Sequence, residues 1–185
     1  MTQQKVRPTR AGIDHIGMTV PDIPAAIEFF EKVFGVETTF DIMTPEAKAI
    51  IDAEDLSVAL GVPEGAKITA LVKIALDGGP MIELFEWKVD DQREPVVASD
   101  LGFHHAAIYV DDIYAAAERI EAAGGKALPG GPVEMFGYEA GAGNKAWYTQ
   151  TPWGSTIELI CYPTVMPYET EFGRVAPGRR ESATE

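Results

Sequence analysis

The stretch DHIGMTVPDIPAAIEFFEKVFGV, residues 14–36, decides how the chain is read, because it returns at residues 104–126 as HHAAIYVDDIYAAAERIEAAGGK. The two segments align without a gap at an offset of 90 residues. Nine positions are identical: His15/His105, Val20/Val110, Asp22/Asp112, Ile23/Ile113, Ala25/Ala115, Ala26/Ala116, Glu28/Glu118, Glu31/Glu121 and Gly35/Gly125. Self-similarity at a fixed spacing is the mark of a repeated supersecondary unit. Each copy opens on a short apolar strand, turns at Pro21-Asp22 or Asp111-Asp112, and continues as a helix.

The helix signals do not depend on the repeat. Asp22 and Asp112 are suited to the N-cap, where a carboxylate accepts from free backbone N–H groups. Pro24 falls where a missing N–H does no harm. Ile27, Phe30 and Phe34 in the first copy, and Ile113, Ala116 and Ile120 in the second, recur at helical spacing. Gly35 and Gly124-Gly125 suit a C-terminal cap with positive φ.

Further out, the two copies also end alike. Residues 79–87 read GPMIELFEW and 154–162 read GSTIELICY. Strands precede both, at 67–76 (KITALVKIAL) and 146–151 (AWYTQT), with turns at Asp77-Gly78-Gly79-Pro80 and Pro152-Trp153-Gly154. Each module therefore reads strand, helix, then about three strands, an α+β arrangement of two βαβββ units. The expected organisation is module 1 at 11–90, a linker at 91–100, module 2 at 101–163, and an extension at 164–185 that runs over the surface or frays. Residues 45–60 (PEAKAIIDAEDLSVAL) add a helix or lid segment to module 1.

Side chains alternate across a strand. That places His15 with Gly17 and Thr19, and His105 with Ala107 and Tyr109, away from the apolar face that packs on the helix. Glu83 lies between Ile82 and Leu84, and Glu158 between Ile157 and Leu159. A carboxylate in an apolar strand is costly unless it is paired or bound to a metal. A lone His is most often structural and a lone strand Glu most often solvated. Two His and two Glu at equivalent repeat positions instead point to one divalent ion held by His15, Glu83, His105 and Glu158. Imidazole and carboxylate together suit Ni, Co, Zn, Fe or Mn.

Composition bounds the remaining possibilities. The 185 residues carry a net charge of −14, and the 15 Lys and Arg are scattered, which argues against nucleic acid. The apolar runs are too short to cross a bilayer. The first ten residues (MTQQKVRPTR) lack an apolar signal segment, and the single Cys161 forms no intrachain disulfide, so a cytoplasmic location is expected. The Gly-rich stretch 137–143 (GYEAGAG) lacks the Lys-Ser/Thr of a phosphate loop and is read as a flexible mouth followed by Asn144 and Lys145.

DHIGMTV and IELFEW in the first half, with HHAAIYVDDI and TPWGSTIELICYP in the second, make residues 11–163 resemble the vicinal oxygen chelate superfamily. That group includes glyoxalase I, methylmalonyl-CoA epimerase and extradiol dioxygenases. The second-module strings are most similar to a bacterial subgroup related to 2-epi-5-epi-valiolone epimerase. The resemblance implies paired βαβββ modules forming a curved mixed sheet around a metal cavity, and a homodimer is expected with it. Whether the two ligand pairs meet within a chain or across the dimer is open at this level. Extradiol dioxygenases use two His and one Glu, so the additional Glu83 turns the reading away from oxygen chemistry. The His/Glu/His/Glu set is nearest to bacterial glyoxalase I, although no cluster of Arg stands ready for glutathione carboxylates.

The implied activity is metal-dependent epimerisation or isomerisation at the carbon next to the carbonyl of a small hydroxyketone, such as a cyclitol, or of an acyl-thioester. Glu158 is the first candidate for the base and Glu83 the second. Trp87, Tyr109, Tyr148 and His104 are candidates to contact the substrate, with His104 expected to alternate onto the helix side and support from behind. Trp147 and Tyr148 point to opposite faces, so one of them reaches the site. The alternatives are a glyoxalase-type lactoylglutathione lyase, an extradiol-type dioxygenase, and a non-catalytic ligand-sequestering protein. Metal analysis separates the last from the enzymes.

Overall fold

A computed structural model describes residues 12–53, 57–77, 79–174 and 176. The first half contains β1 (His15–Thr19), α1 (Ile23–Phe34), β2 (Thr38–Asp41), α2 (Pro45–Ala53), α3 (Ser57–Leu60), β3 (Lys67–Ala75) and β4 (Met81–Lys88). The second contains β5 (His105–Tyr109), α4 (Ile113–Ala122), β6 (Lys126–Ala127), β7 (Val133–Glu134), β8 (Lys145–Gln150) and β9 (Thr156–Cys161), followed by α5 (Pro167–Phe172). The expected helix within 45–60 is thus two short helices, and residues 54–56 between them lie outside the described set.

The strands form two mixed sheets. One has the order β1-β4-β3-β2, the other β5-β9-β8-β6 with β7 also on β8. In each, the opening strand runs parallel to the closing one, and the remaining pairs are antiparallel. A parallel neighbour requires a crossover, and α1 and α4 supply it. Each βαβββ module thus carries its own mixed sheet, with β1 and β5 as edge strands.

The caps account for where the helices begin. Asp22 accepts from the Ala25 N–H at 2.8 Å. Asp112 accepts from the Tyr114 and Ala115 N–H groups at 2.9 and 3.0 Å. Gly35 and Gly124 take positive φ just beyond the helices. The buried stripe of α1 is Ile23, Ala26, Phe29, Phe30 and Val33. That face is turned by one position from the Ile27-Phe30-Phe34 row, because Trp153 packs edge-on to Phe29 with ring centres 5.4 Å apart. One core joins both modules. Phe30 and Val33 of α1, Ala116 and Ile120 of α4, Leu84 of β4 and Leu159 of β9 are buried in it together. Arg119 of α4 also donates to the Val33 carbonyl at 2.8 Å.

Two expectations are corrected. Residues 164–174 do not simply fray: the Met166 N–H donates to Glu169 at 2.8 Å to start α5, and Met166 is buried against Tyr162. Residues 177–185 of the extension lie outside the described set. The loop 137–143 is not a free mouth either. Asn144 is fully buried, donating to the Glu139 carbonyl at 3.2 Å and accepting from the Thr164 N–H at 3.0 Å. Thr164 in turn donates its hydroxyl to the Ala142 carbonyl at 2.7 Å. Asn144→Ala leaves these backbone groups without their partner and is expected to cost about 1–3 kcal/mol. A lower urea midpoint at an unchanged m-value is the readout.

Candidate metal centre

The sheet register brings each His to a Glu. His15 pairs with Met81 and Gly17 with Glu83, so Glu83 lies two residues farther along the neighbouring strand, on the same face as His15. The second sheet repeats this step: His105 pairs with Thr156 and Ala107 with Glu158. His15 Nε2 stands 3.2 Å from Glu83 Oε2, and His105 Nε2 stands 3.2 Å from Glu158 Oε2. Both carboxylates are largely shielded, with side chains 14% and 15% exposed.

The residue before each His engages its other ring nitrogen. Asp14 Oδ1 lies 2.6 Å from His15 Nδ1, and His104 Nδ1 lies 2.7 Å from His105 Nδ1. Asp14 and His104 are equivalent positions of the repeat. An ionised carboxylate only accepts, so the Nδ1–H of His15 goes to Asp14. The Asp14 carboxyl is held below its ordinary pKa, first by this hydrogen bond and then by the charge of Lys73. In its neutral form His15 then presents a bare lone pair at Nε2, aimed at a carboxylate oxygen. Two acceptors facing one another need a positive charge between them, whether a proton or a metal ion. At His105 the same follows when Nδ1–H donates to His104. The His104 ring lies beside His105, with ring centres 4.6 Å apart.

Ligand chemistry also fits a metal. Two ligands bonded at about 2.0–2.2 Å to one ion stand about 2.8–3.1 Å apart at a right angle and about 3.3–3.6 Å apart at the tetrahedral angle, and the 3.2 Å separation in both pairs falls between the two. A second residue that fixes the tautomer of a ligating His is the usual support for such an ion. The chain assembles its candidates as two pairs, not as a set of four. Among the described residues, no three His, Cys, Asp or Glu side chains gather closely enough to hold an ion.

The third strand of each sheet adds a polar partner. Lys73 lies opposite Glu83 and Tyr148 opposite Glu158. Lys73 Nζ is 3.5 Å from Glu83 Oε1, and its side chain is 15% exposed. The Tyr148 ring stands edge-on to His105 with centres 5.2 Å apart. Burial, then the charge and hydrogen bond of Glu158, push the Tyr148 phenol up, so it remains a neutral donor to that carboxylate. Trp147 turns the other way, into the core, donating to the Leu128 carbonyl at 2.9 Å. Sequence reasoning missed Lys73 because only the pairing of β3 with β4 brings it to Glu83. It passed over Asp14 although the repeat itself matches Asp14 to His104.

Trp87 and Tyr109 are not among the contacts of either His–Glu pair. A groove of about 1010 Å³ runs between β1, the start of β5 and residues 92–96. Its wall includes Trp87, His104 and His105 but not His15, Glu83 or Glu158. Tyr109 donates to Asp111 at 3.0 Å and packs on Tyr162 with ring centres 5.3 Å apart, next to Met166. Among the described residues, no helix is long and apolar enough to cross a membrane.

Solved structures share the fold. A glyoxalase family protein from Bacillus cereus superposes with a TM-score of 0.57 at 18% identity, covering 86% of this chain and 97% of that one. A variant of glyoxalase I from Zea mays gives 0.54 at 22% identity, over 82% of this chain and 45% of the maize chain. The fold is thus glyoxalase-like. Residues 12–159 match the model of the Glyoxalase/Bleomycin resistance protein/Dioxygenase superfamily, and the chain belongs to that superfamily. Among curated proteins it is 36% identical over 174 residues to a 2-epi-5-epi-valiolone epimerase from an Actinomyces species, covering 89% of this chain and 86% of the relative.

Proposed function

We propose that the protein is a metal-dependent epimerase or isomerase that moves a proton at the carbon next to the carbonyl of a small hydroxyketone, with a cyclitol such as 2-epi-5-epi-valiolone as the first substrate to test. The observation that carries this reading is the duplicated His–Glu pair, 3.2 Å apart in both sheets. The relative's name supplies the substrate class. In this reading modules 11–90 and 101–163, joined at 91–100 and followed by the extension 164–185, each contribute one half of a metal site.

His15, Glu83, His105 and Glu158 would hold the ion. A divalent cation there acts as a Lewis acid that stabilises negative charge developing on the substrate oxygens, an effect worth several kcal/mol. Glu158 takes the proton from the substrate carbon, and Tyr148 donates to the carboxylate and fixes its orientation. Glu83, from the other module, would relay a proton taken up from solvent to the opposite face, which inverts the centre, and Glu158 would release its proton to solvent, so that both carboxylates end as they began. Such carboxylate participation contributes typically about 10²–10⁴-fold.

Because one chain presents its ligands as two separate pairs, the complete site is assigned to a homodimer, in which module 1 of one protomer meets module 2 of the other. The unpaired edges of β1 and β5 and the exposed Leu101 and Phe103 beside β5 support this assignment, since each offers surface that a second copy would cover. The test is solvent-deuterium incorporation into a panel holding 2-epi-5-epi-valiolone, other α-hydroxyketones, an acyl-thioester and the hemithioacetal of glutathione and methylglyoxal. Exchange confined to the cyclitol and hydroxyketones is expected. Turnover of the hemithioacetal alone overturns the epimerase reading in favour of a lyase.

A further inference from the structure

The two half-sites carry the same ligands but different third partners. In module 2 these are His104 and Tyr148, whose phenol is neutral. In module 1 the equivalent positions hold Asp14 and Lys73. Lys73 Nζ lies 3.5 Å from Glu83 Oε1, 3.2 Å from His15 Nδ1 and 3.7 Å from Asp14 Oδ1. The Nδ1–H of His15 is already given to Asp14 at 2.6 Å, so the ammonium cannot also donate there. Its charge is therefore directed to Glu83. Lys73 and Glu83 are 15% and 14% exposed, whereas Asp14 is 73% exposed. Charges shielded from water interact more strongly than exposed ones, so Lys73 outweighs Asp14 at this carboxylate.

An ammonium group beside a metal-ligating carboxylate does two things. It neutralises the anion while no metal is present, and it repels a divalent cation that arrives. We propose that Lys73 is a built-in counter-cation of the His15–Glu83 pair, so that a metal ion loads first on His105–Glu158 and module 1 closes on it afterwards. The inference rests on the ligand assignment made above. Lys73 acts through Glu83 and is therefore a positioning residue. Its consequence is an order of assembly: the metal reports the arrival of module 1 rather than binding to it alone.

The experiment measures metal affinity of the full-length chain by competition with a chromophoric chelator, using Zn or Co as the probe. His105→Ala/Glu158→Gln leaves only the module-1 pair, and His15→Ala/Glu83→Gln leaves only the module-2 pair. The first is expected to bind about 10- to 100-fold more weakly than the second. Adding Lys73→Met to the first closes most of that gap, Lys73→Arg preserves it, and Tyr148→Phe in the second changes the affinity less than about threefold. Equal affinities of the two pairs, or no gain on Lys73→Met with the fold intact by circular dichroism, overturn the inference while leaving the ligand assignment in place. A folded wild-type protein that binds neither metal sinks the ligand assignment, and this inference with it.

Discussion

Glu158→Gln is expected to lower solvent-deuterium exchange at the substrate α-carbon by about 10²–10⁴-fold while retaining most of the bound metal. Gln keeps the length and a ligating oxygen but cannot take a proton. The side chain projects from β9 on the face opposite the buried Ile157 and Leu159, with Tyr148 across the strand pair. Its neighbours therefore meet the same shape after the change. A uniform loss of metal and exchange together would assign Glu158 to ligation alone. Normal exchange in the variant would remove it from the proton-transfer step.

Mixing two inactive variants gives the second large effect. His15→Ala damages only module 1, and Glu158→Gln only module 2. If sites form between module 1 of one protomer and module 2 of its partner, half of a randomly reassociated population is heterodimer. Each heterodimer then has one intact and one doubly damaged site. Recovery of roughly a quarter of the wild-type rate is expected after denaturation and refolding of an equimolar mixture. A site built within one chain gives no recovery at all, since every chain in the mixture carries a damaged site. The separation of the His–Glu pairs in the single chain is what this result would explain.

Much of the fold is legible in the sequence because its signals are local. Asp22 and Asp112 cap their helices as their residue type predicts. The turn residues Pro152-Trp153-Gly154 separate two strands where alternation ends, and His15 and Glu83 fall on polar positions of otherwise apolar strands. The repeat then raises four ordinary residues to a pattern. What stayed hidden depends on pairing between distant segments. The parallel register of β1 on β4 joins segments more than 60 residues apart, and only that register brings His15 to Glu83. Lys73 reaches the same carboxylate through the antiparallel pairing of β3 with β4. Asn144, which follows the Gly-rich stretch read as a flexible mouth, is a buried brace that accepts from the Thr164 N–H of the extension. Composition cannot report a hydrogen bond made across 20 residues.

The most direct test of the account is the metal content of freshly purified protein and of its His variants. The account predicts about one divalent ion per chain in the wild type, two sites per dimer. It predicts less than about a tenth of that in His15→Ala and in His105→Ala, with circular dichroism unchanged, since each removes one of four ligands. A folded and catalytically active wild-type protein holding no ion, or both His variants holding it undiminished, would contradict the account.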